Sequence, residues 1–297
     1  MFNFKVETKV IQLPCGVMAM ISPLSPKHQR KLTEQGTSNS DKFNAILADV
    51  IVSIEGVDWN EMEQYKKIKF VEKMLSADRR YILTESRQLA NRHKPTFTYV
   101  HEWKDKKGVK KETPLEIHLI DEDNRDSILE NIKQHFDKSY HELIEKLNNV
   151  GCFPTKPYRK QFNDYSEVIA PGATEIVFDL ELSLEGGQET YEFSFKLMNG
   201  LMEKEMKPEK ITSHSKLTAR HLRARKKGTD MWVKVEDKHI DDMPMDVRDE
   251  ISRQIDLYEG DVDSVEIIDN PDETAAEKTI RIDLIAQVGF FFLSGRV

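Results

Sequence analysis

The chain has 297 residues, of which 38% are hydrophobic and 32% charged, a composition typical of a soluble globular protein with a sizeable core. Its formal net charge of −8 argues against a protein whose whole surface binds nucleic acid. No apolar run reaches the roughly 20 residues of a membrane-spanning helix, and the N-terminus lacks the apolar stretch of a signal peptide. We therefore expect no membrane partner and synthesis in the cytoplasm.

The first predicted elements are two short strands and a helix. Apolar residues at 2–13 favour a strand that is closed by a Pro-Cys-Gly turn, and the run at 17–21 favours a second strand. Ser25 followed by Pro26 has the chemistry of an N-cap and a first helical residue. A helix is expected from there to about Gly36.

The next stretch has the clearest helical periodicity in the chain. Asp41 would cap this helix and Gly56 would terminate it. Two further helices are predicted at 61–75 and, behind a Ser76 cap, at 77–91. The apolar stripe of the first of these three helices comprises Phe43, Ile46, Leu47, Val50, Ile51 and Ile54.

After Pro95 the apolar period changes from 3.6 to 2, which predicts a β-hairpin. Its two alternating runs lie at 97–103 and 115–119, and the basic loop KDKKGVKK at 104–111 forms its tip. An acidic stretch at 121–126 is interpreted as a linker. Residues 128–147 have the spacing of a long amphipathic helix, and the proline-containing stretch 153–172 is expected to be irregular.

The strongest hairpin pattern lies at 176–197, where strict alternation flanks Gly186 and Gly187 in a tight turn. A helix is predicted at 245–258 with Asp242 as its cap, followed by strands at 262–268 and 279–284. A helix followed by strand, loop and strand thus occurs near 77–120 and again near 245–285. Coincidence between two amphipathic strand pairs explains this similarity as well as an internal repeat does.

Together these elements predict an α+β fold of amphipathic helices and antiparallel β-hairpins, with two helix-plus-hairpin modules around a middle insertion. We divide the chain into an N-terminal helix-plus-hairpin module at 1–120 and an inserted long helix and β-hairpin at 121–200. A C-terminal helix-plus-hairpin module with an aromatic tail occupies 201–297.

Sequence patterns for catalysis or cofactor binding are missing. The chain has no P-loop, no dinucleotide-binding glycine motif and no serine nucleophile elbow. Cys15 and Cys152 have no zinc-ligand spacing, and His101 with His118 lack further metal ligands nearby. We therefore predict no enzyme activity, catalytic residue, cofactor, metal or small-molecule substrate. An enzyme whose site is assembled from distant residues remains the alternative.

The basic segment 204–227 is one candidate contact with a partner, since it has nine lysines and arginines against two glutamates. Helical spacing would place most of its later basic residues on one face. We interpret that face as solvated or as a contact with an acidic protein, with nucleic-acid binding as the alternative, although aromatic residues for base stacking are missing. The candidate contact residues are Lys216, Arg220, Arg223, Arg225, Lys226 and Lys227.

The aromatic residues Phe290, Phe291 and Phe292 near the C-terminus are a second candidate contact. Exposed, they would form an adhesive apolar patch. They either complete the core of this chain or anchor a neighbouring subunit.

Stretches near both ends resemble the baseplate hub and hub-assembly proteins of T-even-like contractile-tailed bacteriophages. At the C-terminal end these are Met243-Pro244, Ile251 and Ile255 in the predicted helix, the strand at 279–284 and the aromatic cluster Phe290–Phe292. Near the N-terminus, LPCGVMAMISPLSPKHQRKL resembles the family's opening turn, strand and helix. The stretch LSADRRYILTESRQLA resembles the segment before its first hairpin.

The resemblance implies a structural or assembly protein of the virion tail baseplate, which contacts other tail and baseplate proteins. It implies no catalytic residue. Family members often carry a zinc knuckle in the last hairpin, but residues 270–277 contain no cysteine here. The alternative function is a nucleic-acid-binding regulatory protein that uses residues 204–227.

Overall fold

Helices and antiparallel sheets alternate along the chain in the computed structural model, which confirms the predicted α+β class. The structure describes residues 7–33, 38–90, 96–118, 157–184, 187–206, 217–260, 264–268, 270–276 and 279–283. The predicted linker at 121–126, the helix at 128–147 and the aromatic cluster Phe290–Phe292 lie outside these ranges.

Three short strands near the N-terminus form one antiparallel sheet in the order β1-β2-β3. They are β1 (Lys9–Gln12), β2 (Met18–Ile21) and β3 (Ile51–Ile54). The turn between β1 and β2 contains Gly16 at φ +95°, a backbone conformation that disfavours any side chain. The strand predicted at 17–21 is therefore confirmed, and the described part of the strand predicted at 2–13 begins at Lys9.

The predicted helix through Ile54 is wrong at both ends. Helix α2 (Asn39–Val50) begins behind Ser38, whose side chain accepts a hydrogen bond from the Asp41 N–H, and the backbone becomes extended at Ile51. Ile51, Val52 and Ile54 are β-branched and favour a strand, and pairing of β3 with β2 buries Ile51 and Ile54. The apolar residues thus continue from the helix into the strand, and no polar residue or turn marks the boundary between the two elements.

The other helices of the N-terminal half lie close to their predicted positions. Helix α1 (Pro26–Thr33) begins at Pro26 as predicted, and the Ser25 N–H donates to His28 Nδ1 at 3.0 Å across the first turn. Helices α3 (Gln64–Lys73) and α4 (Ser76–Ala90) follow a 3₁₀ turn at Trp59–Glu61.

The predicted hairpin with the basic tip is confirmed as β4 (Thr96–Lys104) paired with β5 (Lys110–His118). The two strands form a separate two-stranded ribbon, referred to below as the β4–β5 ribbon. A second ribbon, β10 (Ser264–Ile268) with β11 (Thr279–Asp283), follows helix α8 (Met245–Tyr258). The helix-plus-hairpin arrangement therefore occurs twice, as the sequence similarity suggested.

The second half of the chain contains a four-stranded antiparallel sheet in the order β6-β7-β8-β9. Its strands are β6 (Glu175–Leu184), β7 (Gly187–Lys196), β8 (Arg223–Lys226) and β9 (Val233–Lys234). The first two confirm the predicted hairpin, and aromatic residues line its inner face. Phe178 stacks on Phe193, and Phe195 packs edge-on against Phe178 and the Tyr258 ring of α8.

The described part also contains the short helices α5 (Tyr165–Val168), α6 (Gly200–Glu205) and α7 (Asp237–Asp241). Helix α8 has the predicted bounds, but its N-cap is Pro244. Asp242, the predicted cap, instead ends α7.

One hydrophobic cluster extends from β1 to β11 and includes buried residues from all three predicted regions of the chain. Tyr158 and Tyr165 contribute to it from the stretch that we expected to be irregular, and both are almost completely buried. The middle region therefore shares its core with the two modules. The division into three regions remains a prediction.

Candidate interaction surfaces

The end of the basic segment is a strand rather than a helix. Strand β8 pairs with β7 in a register that places Arg223 beside Ser194 and Arg225 beside Glu192. Alternation along β8 puts Arg223 and Arg225 on one sheet face and Lys226 on the other. The predicted helical spacing is therefore wrong for 223–226, because cross-strand pairing overrides a helical charge pattern; Lys216 lies outside the described ranges.

Four basic residues of this segment form ion pairs with carboxylates on β6 and β7. Arg225 Nε lies 2.6 Å from Glu192, Lys226 Nζ lies 2.7 Å from Glu189, and Lys227 Nζ lies 2.5 Å from Asp179. The fourth pair joins Arg223 to Glu175. Within the described residues, these pairs neutralise most of the positive charge that the sequence suggested.

Trp232 covers the two arginines of β8. The Arg225 guanidinium lies 4.6 Å from the centre of its ring and that of Arg223 lies 5.5 Å away. Each arginine therefore contacts both a carboxylate and the indole, which restrains the two side chains against the sheet.

Arg220 forms an ion pair inside the fold. Its Nε and Nη2 donate to the two carboxylate oxygens of Glu259 at 2.9 and 2.7 Å, and both side chains are mostly buried. Glu259 also accepts a hydrogen bond from the Met198 N–H at 3.0 Å. Glu259 at the end of α8 thus connects Arg220 to the chain before α6, and its pair with Arg220 has the two-pronged geometry that makes such pairs strong. Its predicted role as a partner contact remains untested.

A buried polar cluster lies beneath the surface of this half. The fully buried Asp78 carboxylate accepts hydrogen bonds from the Cys15 N–H at 3.0 Å and from the Tyr165 hydroxyl at 2.7 Å. The Tyr165 oxygen in turn accepts from the Leu75 N–H at 3.0 Å. Burial raises the pKa of Asp78 to about 6. These bonds join the β1–β2 turn, α4 and α5.

The cluster has no nucleophile suited to catalysis. Burial, and then the neighbouring Asp78 carboxylate, raise the pKa of the Cys15 thiol far above its ordinary value, so the thiolate is not formed near neutral pH. Asp78 itself is inaccessible to solvent. Sequence reasoning missed this cluster, because an aspartate near a helix start ordinarily indicates a capping role on the surface.

A cleft of about 190 Å³ opens beside the cluster at the junction of α4, α6 and the end of α8. Two arginines and two glutamates face it, and they are paired as Arg80 with Glu203 and Arg220 with Glu259. The charges in the cleft are thus balanced by one another. Its lining comprises Ser76, Ala77, Arg80, Tyr158, Met198, Glu203, Met206, Arg220, Glu259 and Gly260.

Two helix starts meet beside this cleft. Leu75 and Asn199 form an isolated antiparallel bridge, in which the Ser76 N–H donates to the Met198 carbonyl at 2.9 Å and the Gly200 N–H donates to the Met74 carbonyl at 3.2 Å. A Cβ atom at Gly200 would lie 2.6 Å from the Arg79 guanidinium and 2.9 Å from the Glu72 carbonyl oxygen. Glycine is therefore required for this close approach of α4 and α6.

The β4–β5 ribbon has few contacts with the other helices and strands that the structure describes. No other helix or strand in the described ranges contacts it extensively, although Tyr99 packs against the core cluster. The loop at 270–276 of the second ribbon touches it, through a His101 Nε2 to Asn270 Oδ1 distance of 3.2 Å and a Lys106–Glu273 pair at 3.8 Å. The two ribbons therefore lie next to each other.

Metal ligation and membrane insertion find no support in the described residues. No group of three or more histidine, cysteine, aspartate or glutamate residues is arranged there to hold a metal ion. Likewise, no helix in these ranges has the length and apolar character needed to cross a bilayer.

Comparisons with protein families, with curated proteins and with solved structures found no match for this chain. The described residues form an α+β fold in which a helix followed by a β-hairpin occurs twice.

Proposed function

We propose that this chain is a structural or assembly protein of a contractile phage tail, and that it acts at the baseplate hub through protein–protein contacts. The baseplate setting rests on the resemblance of residues 13–32, 75–90 and 240–292 to hub and hub-assembly proteins. Much of this resemblance falls on residues with defined structural roles, including the buried Ile251 and Ile255 of α8.

The observation that carries the protein-contact role is the β4–β5 ribbon. A two-stranded ribbon alone is marginally stable in water, and three strands or a packed layer are ordinarily needed. This ribbon has nine residues in each strand but little contact with other described elements. A neighbouring subunit that packs on the ribbon would add a layer to the contacts that Tyr99 and the loop at 270–276 make.

The charge distribution also favours protein contacts over nucleic-acid binding. Phosphate binding requires cations that are free to replace counterions. The cations of β8 instead lie against the protein's own carboxylates. A phosphate backbone would have to displace these carboxylates before it could bind.

Sedimentation of infected-cell extracts tests the proposal. We expect the chain to migrate with baseplate-hub proteins, either in finished tails or in a smaller assembly intermediate, when gradient fractions are probed with an antibody against it. The chain expressed without other phage genes gives the position of the unassembled protein. Migration at that position throughout infection, with no tail protein recovered on its affinity tag, would contradict the proposal.

A further inference from the structure

We propose that the tip of the β4–β5 ribbon, residues 104–111, is a docking surface for an acidic patch with an apolar centre on a partner protein. This inference rests on the protein-contact part of the proposed function and names the chemistry of the partner. It does not depend on which assembly the partner belongs to.

The tip is held in one conformation by Asp105. Its Oδ1 atom accepts hydrogen bonds from the Lys107 N–H at 2.9 Å and the Val109 N–H at 3.0 Å, and its backbone carbonyl accepts from the Gly108 N–H at 2.8 Å. Gly108 supplies the positive φ of +76° that this turn requires. A preorganised tip loses little conformational freedom when it binds.

Side-chain contacts also stabilise the base of the tip. Lys111 lies 3.3 Å from Asp105 and 5.3 Å from the centre of the Trp103 ring, and the Trp103 N–H donates to the Thr113 hydroxyl at 2.7 Å. One of the five lysines of the tip is thus used to stabilise the turn itself.

Three of the remaining lysines are unmatched. In the described part of the chain, the side-chain amines of Lys104, Lys107 and Lys110 form no ion pair, whereas Lys106 Nζ lies 3.8 Å from Glu273. Lys104 contacts the Asp272 carboxylate through its backbone N–H alone. The basic residues at 223–227 that lie on or next to β8 are neutralised by the fold, as shown above. On a chain with a net charge of −8, this leaves a local concentration of positive charge that attracts an acidic surface.

An exposed apolar residue lies among these cations. The Val109 residue is 54% exposed at the tip. An apolar centre with a charged rim is the usual arrangement of a protein interface. Burial of Val109 in a partner pocket would exclude water from the surrounding charge pairs.

The surface next to the tip disfavours a nucleic acid as the partner. Glu102 and Glu112 lie directly opposite each other, on the same face as the Lys104 and Lys110 pair. A phosphate backbone laid along this face would meet two carboxylates immediately beyond the lysines. The tip also lacks arginine, the residue best suited to bind phosphate with two hydrogen bonds. An acidic protein surface that receives the tip end-on avoids both penalties.

Site-specific photocrosslinking tests this proposal. A benzophenone amino acid replaces Val109 in the full chain, the infected-cell extract is irradiated, and the crosslinked partner peptide is sequenced by mass spectrometry. We expect a peptide in which aspartate or glutamate flanks an apolar residue. Crosslinks to nucleic acid, or no crosslink at all, would overturn the proposal.

Charge-reversal variants test the proposal quantitatively. Their affinity is measured for the partner that the crosslink identifies. The double variant Lys107→Glu with Lys110→Glu should weaken binding by about ten-fold or more, whereas reversal of the mapped partner acids to lysine should restore it. The control carries Lys66→Glu and Lys73→Glu, two exposed lysines of α3, and should bind within about two-fold of the wild type. Equal binding by both double variants would overturn the proposal.

The two proposals fail in different ways. If the crosslinked acidic partner is not a tail protein, the tip inference stands and the baseplate function fails. If the tip variant still copurifies with tail proteins as strongly as the wild type does, the baseplate function stands and the tip inference fails. Equal thermal unfolding midpoints of the wild type and the variants confirm that a loss of binding does not reflect unfolding.

Discussion

The hydroxyl of Tyr165 lies 2.7 Å from the carboxylate of Asp78 and donates a hydrogen bond to it, 87 residues apart in sequence. Both groups are fully buried, so neither can exchange this bond for one with water. The bond fastens the segment before β6 to the N-terminal half of the chain. The stability of the whole fold should therefore depend on it.

The substitution Tyr165→Phe should destabilise the protein by about 2–3 kcal/mol, because it removes one hydrogen bond to the buried Asp78 carboxylate and the acceptor of the buried Leu75 N–H. Urea unfolding followed by circular dichroism measures this change. Tyr65→Phe is the matched control, since Tyr65 is 60% exposed and its change should cost less than about 0.5 kcal/mol. Equal effects of the two substitutions would show that the Asp78 contact contributes nothing.

Asp78→Asn should become more stable relative to the wild type as the pH rises from about 4 to about 6. The unfolded carboxyl ionises near its ordinary pKa of 3.8, whereas the folded carboxyl keeps its proton up to a pKa of about 6. The wild type therefore loses stability across this interval, by an amount on the order of 3 kcal/mol, and the asparagine variant does not.

Urea unfolding of both proteins at a series of pH values gives the difference between their free energies of unfolding. Any pH-independent cost of the substitution offsets this difference equally at every pH, so its change with pH reports the titration of Asp78. The difference should be flat below about pH 3 and flat again above about pH 7. A difference that does not change with pH would mean that Asp78 titrates normally.

Gly200→Ala should destabilise the protein by about 1–3 kcal/mol, because the new Cβ would overlap the Arg79 guanidinium and the Glu72 carbonyl. Helix propensity alone predicts the opposite sign, since alanine stabilises a helix by up to about 1 kcal/mol relative to glycine. The change in the thermal unfolding midpoint shows whether the steric overlap or the helix propensity dominates. In the control Gly228→Ala, the side chain enters open space and only the positive φ of +85° is strained, so the loss should be about 1 kcal/mol.

Double-stranded DNA should bind weakly or not at all to the wild-type chain even at low ionic strength, because the cations of β8 are already paired with carboxylates. Fluorescence anisotropy of a labelled duplex over a salt series checks this. Binding that falls steeply with salt and disappears in the Lys226→Glu, Lys227→Glu double variant would instead support the nucleic-acid alternative.

Alternation along strands and stripes along helices made much of this fold predictable. Three elements lie within a few residues of their predicted bounds: the β4–β5 ribbon, the β6–β7 hairpin and helix α8. In each, apolar residues recur with the period of the element, as expected when one face is buried and the other is exposed to solvent. The helix-plus-hairpin similarity between the two ends was visible for the same reason.

Features that depend on distant partners could not be predicted. Strand β3 continues the apolar stripe of α2, and only its pairing with β2 distinguishes strand from helix. Strand β8 has three basic residues among four, and it forms a strand through pairing with β7 and ion pairs to carboxylates more than 30 residues earlier in the chain. The buried roles of Tyr158 and Tyr165 likewise follow from contacts with α4 that no local pattern encodes.

That this chain builds a contractile tail through protein contacts is tested most directly by removing it. A phage with an early stop codon in the gene is grown in its host, and the tails in the lysate are counted by electron microscopy, with the wild-type gene supplied on a plasmid as the control. We predict that tails with complete baseplates are lost without the chain and return with the plasmid. Normal numbers of complete, contractile tails in its absence would contradict the proposed function.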